Sequence, residues 1–173
     1  MIGDMHSSRI KYLFPLGLFI ALFLDGTITQ AFAPEMFTPA VAIESRLLLL
    51  WLIMAVCYSQ AEHILLWAGI AGFFFDLYYT GILGIFVILL PLVVYLTQKT
   101  YQFFTGSFIV VLLIYLIDVT LLTLLFYLVN SLIGFTDAGL TTFIARTLGP
   151  TLAYNLAMFV ILFIPLKSLF EKM

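Results

Sequence analysis

Apolar runs with no charge inside them constrain this chain more than any other feature. Leu47 to Val56 and Ile109 to Ile117 are two such stretches. They lie in a chain of 173 residues of which only 9% are charged, against about 25% in a soluble domain. So few charges cannot clothe a water-facing surface. A bilayer tolerates apolar side chains but demands that every backbone polar group be bonded within the fold, which leaves helices or a closed barrel. A barrel would show short segments of alternating polarity; these runs are continuous. The expectation is an all-α membrane protein forming a single transmembrane domain.

A span needs about 20 apolar residues, and polar punctuation then divides the chain into about six, at 11–32, 42–58, 62–79, 82–97, 107–130 and 150–166. The first is read as a retained helix: Pro34 after Ala31-Phe32-Ala33 disfavours cleavage there. Ser59 to His63 reads as a tight polar turn, Thr80-Gly81 as the turn of a helical hairpin, and Ser131 to Gly149 as a long amphipathic connection. Orientation follows Lys and Arg. An even span count puts Arg9, Lys11, Lys99, Lys167 and Lys172 on one side and Arg46 and Arg146 on the other. Both termini are therefore expected in the cytoplasm.

Ionisable groups inside a membrane are costly and default to functional candidates. Asp118 falls in the middle of span five, with Tyr115, Thr120, Thr123 and Asn155 as expected partners. It must face the bundle interior or carry a proton. An ion or proton relay, a substrate contact and a hydrogen-bonded clamp between helices all remain open for it. Asp25, beside Gly26, and Asp76 lie toward span ends and read as helix-end groups. Gly149, Ala153 and Ala157 recur every four residues and make a smooth ridge on span six. Ala68, Gly72 and Asp76 repeat that spacing on span three. Such ridges let helix backbones approach closely, within one bundle or between two membrane proteins. Asn155, off the span-six ridge, could add an interhelical hydrogen bond.

Nothing in the sequence is equipped for catalysis or for a cofactor. His6 and His63 are isolated, so no metal site is expected, and Cys57 is alone in an apolar run, where buried packing suits it. Gly-x-Ser-x-Gly and Gly-Lys-Ser/Thr are absent. The basic residues are scattered, which argues against nucleic acid and against a lipid-pyrophosphate enzyme.

The stretch Gly72-Phe-Phe-Phe-Asp76-Leu77, then Gly81, Leu83-Gly84, Leu90 and Tyr95-Leu96, resembles the signature of the MreD family of rod shape-determining membrane proteins. In that family a span ends in Gly-x-x-x-Asp-Leu, a glycine turn carries Leu-Gly, and the next span ends near Tyr-Leu. The resemblance implies a non-enzymatic scaffold in the bacterial cell membrane. It would bind the single-span protein MreC and support the RodA polymerase, its transpeptidase and the MreB cytoskeleton in cell-wall elongation. It also implies a bundle similar to the substrate-binding S components of energy-coupling-factor vitamin transporters, and such a transport subunit is the alternative function. Those components dock their coupling subunit through an Ala-x-x-x-Ala ridge on the first helix, where this chain has only Gly17 and Ala21. Gly72, Asp76, Leu77, Gly81 and Gly84 carry the motif, and their expected work is shaping the hairpin.

Overall fold

The structure, a computed structural model, describes residues 2–59 and 61–173, with side chains from Arg9 onward. The side chain of His6, and Gln60 in the expected 59–63 turn, lie outside the described residues.

The described chain folds into helices joined by short connections, in the order α1 (Ile2–Ala31), α2 (Ala33–Met36), α3 (Leu47–Tyr58), α4 (Ile64–Phe75), α5 (Ile85–Tyr101), α6 (Phe108–Leu132), α7 (Leu140–Phe143) and α8 (Gly149–Lys172). Wider π-helical turns extend α4 over Asp76–Thr80 and join α7 to α8 over Ile144–Leu148. Three stretches are long and apolar enough to cross a bilayer: Arg9–Ala31, Phe108–Leu132 and Leu140–Lys172. Leu47–Tyr58, Ile64–Thr80 and Ile85–Tyr101 are shorter apolar helices.

Every residue of α3 from Leu47 to Ala55 is buried. A helix that is apolar on all sides belongs in the middle of a bundle. Accordingly α1, α4, α5, α6 and α8 surround it, neighbouring one another in the order α1, α4, α5, α6, α8. Between α1 and α8 the ring leaves an apolar groove of 310 Å³ with Trp51 of α3 at its base.

The helix bounds depart from the expected spans at several places, among them the start of α1 at Ile2 and the end of α8 at Lys172. Helix α3 begins at Leu47, not at residue 42. Residues 37–46 instead fold over its end, with an isolated antiparallel bridge between Phe37 and Ala42. The hairpin turn lies at 81–84, and α5 runs from Ile85 to Tyr101, so it starts and ends later than 82–97. The connection 131–149 is helical from Leu140 onward and runs into α8 as one 33-residue stretch.

The bundle has two chemically distinct ends. Lys11 and Glu171 line one cleft, and at the same end Tyr101 of α5 donates to Cys57 O at 3.1 Å. At the other end Arg146 donates to Thr38 O at 3.1 Å, and Ala42 N–H to Arg146 O at 2.9 Å. The start of α1 and the end of α8 thus share an end, away from Arg46 and Arg146.

Candidate functional site

A helix N-terminus leaves its first amides without partners inside the helix. In water that is cheap; in hydrocarbon each unbonded group costs several kcal/mol. Two of the shorter helices solve the problem with carboxylates sent from elsewhere in the chain. Asp76, fully buried, accepts from Gly84 N–H at 2.9 Å, from Phe86 N–H at 3.0 Å and from Val87 N–H at 3.3 Å. The Thr80 hydroxyl adds a contact to Asp76 Oδ1 at 3.0 Å. Asp76 therefore caps α5 across the hairpin, where the positive end of the helix dipole favours a negative group.

The rest of the motif builds the geometry this cap needs. Gly72 lies where α4 meets the start of α5: a Cβ there would stand 2.3 Å from Phe86 O and 2.9 Å from Val87 N, both backbone atoms. Only glycine lets the two backbones come that close. Gly81 and Gly84 take φ of +70° and +111°, which turns the chain sharply enough to aim the α5 amides back at Asp76. Leu77, one residue beyond the cap, is exposed on the outside of the bundle.

Asp25 performs the same task for α3. It is buried and accepts from Leu47 N–H and Leu48 N–H at 2.8 Å each, and from the Ser45 hydroxyl at 2.7 Å. The neighbouring amide, Arg46 N–H, goes to Asn155 Oδ1 of α8 at 3.0 Å. Asn155 Oδ1 also accepts from the Tyr115 hydroxyl at 3.1 Å, and its amide donates to Glu44 O at 2.9 Å and Thr151 O at 2.8 Å. One buried asparagine thereby ties α8, α6 and the segment entering α3. The Arg46 guanidinium, buried beside these groups, pairs with Glu44 and lies over the Phe86 ring, its carbon 5.4 Å from the centroid. Asp25, Arg46, Asn155 and Asp76 thus form one belt at the end of the bundle opposite the termini.

Asp118 stands apart from this belt. Its partner is Thr97 of α5, with Thr97 Oγ1 2.5 Å from Asp118 Oδ2. That replaces the expected set. Tyr115 and Asn155 bond each other, Thr120 donates to Leu116 O at 2.8 Å, and Thr123 Oγ1 has no partner among the described residues. The choice of partner is set by which face α6 turns to α5, a tertiary fact that spacing along α6 does not carry.

The two small-residue ridges face different ways. Ala68 and Gly72 are buried against α5, whereas Gly149, Ala153 and Ala157 are exposed on the outside of α8. Val160 and Ile164 continue that outer face and are exposed as well. On α1, Gly17 is half-buried and packs on Trp51: a Cβ there would meet that ring at 2.0 Å. Ala21 is buried.

Sequence reasoning had no place for Ser45, Thr97 or Thr151, and it treated Arg46 as a charge that reports orientation and as one of a few sparse outer polar groups, with Glu35, Glu44, Asp137 and Arg146, that a transport subunit's ligand pocket would use. The signal for Arg46 was available: an arginine immediately before ten uncharged apolar residues has to be neutralised or carried out of the membrane.

A family model described as "MreD: rod shape-determining protein MreD" matches residues 10–173. The chain is also similar to the rod shape-determining protein MreD of Bacillus subtilis (strain 168), at 25% identity over 163 residues, covering 94% of this chain and 95% of that protein. No solved structure matches the chain.

Proposed function

Because this chain belongs to the MreD family of rod shape-determining proteins, we propose that it is a non-enzymatic membrane scaffold whose work is to dock other membrane-spanning proteins of the cell-wall elongation machinery. The partner expected on α8 is the single span of an MreC-like protein. The RodA polymerase, its transpeptidase and MreB are served through that assembly, with both termini in the cytoplasm.

The observation that carries this reading is the outward ridge of α8. Gly149, Ala153 and Ala157 are exposed, and Val160 and Ile164 extend the same face. Small residues facing lipid gain nothing from being small, whereas against another helix they allow close backbone approach. The buried polar groups suit a scaffold too. Asp25, Asp76 and Asn155 are engaged in bonds that hold helix ends, which favours a rigid body over a reaction centre. A transport subunit that docked through α1 would need Gly17 and Ala21 at the surface, whereas Ala21 is buried and Gly17 is packed on Trp51.

The test is co-purification from detergent extract with an MreC-like partner. Ala153→Leu and Ala157→Leu, each outside the core, should leave the yield of this protein unchanged and abolish recovery of the partner. Recovery of the partner at the wild-type level with both substitutions present would rule the ridge out as the docking face.

A further inference from the structure

A cleft of 1050 Å³ opens at the end where α1 begins and α8 finishes. Its floor is aromatic: Phe14, Trp67 and Phe170, with Trp67 edge-on to Phe14 at 6.5 Å. Tyr12 and Tyr58 stand at its sides, the residue type that gathers where hydrocarbon meets headgroups. Lys11 on one wall and Glu62 on the turn before α4 carry opposite charges into the cleft, and neither has an ion-pair partner among the described residues. Glu171, also at the rim, is already engaged by Lys167 at 3.8 Å, and Lys167 lies over the Tyr58 ring at 5.5 Å. Next to Glu62, His63 takes φ 57°, in the left-handed region, at the start of α4.

The geometry points to a binding site for the headgroup of a zwitterionic, amine-bearing phospholipid. Its ammonium meets Glu62 and the aromatic faces, which attract cations. Its phosphate meets Lys11, and its glycerol and first methylenes lie on Phe14 and Trp67. Anionic headgroups are recognised by clusters of several Lys or Arg. Here Lys11 and the Lys167 that pairs with Glu171 are matched by two carboxylates, Glu62 and Glu171, so the cleft has no cationic excess with which to hold an anionic lipid. A purely polar ligand would waste the aromatic floor, and a purely apolar one would strand both charges.

Native mass spectrometry of the full chain, purified in mild detergent and offered phosphatidylethanolamine and phosphatidylglycerol in equal amounts, tests this directly. Phosphatidylethanolamine should be retained about fivefold over phosphatidylglycerol, a ratio worth about 1 kcal/mol at 25 °C. Glu62→Gln should bring the two to parity, and Lys11→Gln should lower retention of both, with thermal stability unchanged in each variant. Equal retention by the wild-type protein, retention of neither lipid, or a preference that survives Glu62→Gln would overturn the assignment. The readout needs no partner protein, so its failure would leave the scaffold reading untouched, and failure of the scaffold reading would leave this site standing.

Discussion

Arg46 and Phe86 join the two capped helices: the Arg46 guanidinium lies over the Phe86 ring, and the Phe86 N–H donates to both oxygens of Asp76 at 3.0 Å. Arg46 itself sits between Ser45 and Leu47, two of the residues that Asp25 holds. The cap on α3 and the cap on α5 are therefore one continuous piece of structure, and loosening either should be felt by the other.

Replacing Asp76 should show how much that piece is worth. Asp76→Leu leaves the amides of Gly84, Phe86 and Val87 without their acceptor, and a buried group stripped of a charged partner costs about 1.5–3 kcal/mol. With several such amides lost together, little folded protein should be recovered. Asp76→Asn keeps one acceptor oxygen and should cost about 2 kcal/mol. Unfolding of purified protein by sodium dodecyl sulfate, titrated in a mild detergent, measures the difference. Equal midpoints for wild type and Asp76→Leu would show that the cap contributes nothing.

Gly72 and Gly69 make a matched pair on the same helix. Alanine at 72 drives a methyl into Phe86 O at 2.3 Å, whereas alanine at 69 meets Pro91 Cγ at an ordinary 3.7 Å. Backbone cannot move aside as a side-chain tip can, so Gly72→Ala should pry α4 from α5 at about 1–3 kcal/mol. Gly69→Ala should be neutral or slightly stabilising, since alanine is the better helix former. The same detergent unfolding experiment decides it, and a larger loss at 69 than at 72 would contradict the close approach.

The turn glycines differ from these because nothing crowds them: no atom lies within 4 Å of a Cβ at either Gly81 or Gly84. Their requirement is conformational. Gly81, at φ +70° and ψ 2°, is near the left-handed region that asparagine tolerates, while Gly84, at φ +111° and ψ −17°, lies outside it. Gly81→Asn should therefore be nearly silent, and Gly84→Asn should cost about 1–3 kcal/mol. Comparable unfolding midpoints for the two variants would refute the distinction.

How legible all this was in the sequence depends on distance along the chain. The Asp76 cap was readable because donor and acceptor belong to one hairpin: a carboxylate, two glycines and a new apolar run follow one another within a few turns. The Asp25 cap was not, since its amides are on Leu47 and Leu48, across a loop whose folding cannot be inferred from composition. The late start of α3 has the same origin. The expected span took in residues 42–46 because 47–58 alone is short for a crossing, but Glu44, Ser45 and Arg46 are drawn into bonds with Thr151, Asp25 and Asn155. The outward direction of Gly149, Ala153 and Ala157 was equally hidden, because spacing shows that a ridge exists and only packing shows which way it faces.

Asp118 supplies the sharpest remaining test, because two of the readings open for it predict opposite results. Thr97 Oγ1 lies 2.9 Å from Val93 O and 2.5 Å from Asp118 Oδ2, yet a hydroxyl has one proton to give. Both contacts are satisfied if Thr97 donates to Val93 O and a neutral Asp118 carboxyl donates to Thr97. A clamp of that kind needs a donor at 118 and no charge. Asp118→Asn supplies the donor through its amide and should keep yield, unfolding midpoint and rod shape near wild type. Asp118→Leu should lose about 1–3 kcal/mol by leaving Thr97 without its partner. A proton relay requires that the group release its proton, which asparagine cannot do. Loss of rod shape in Asp118→Asn at a normal protein level would therefore exclude the clamp and favour the relay.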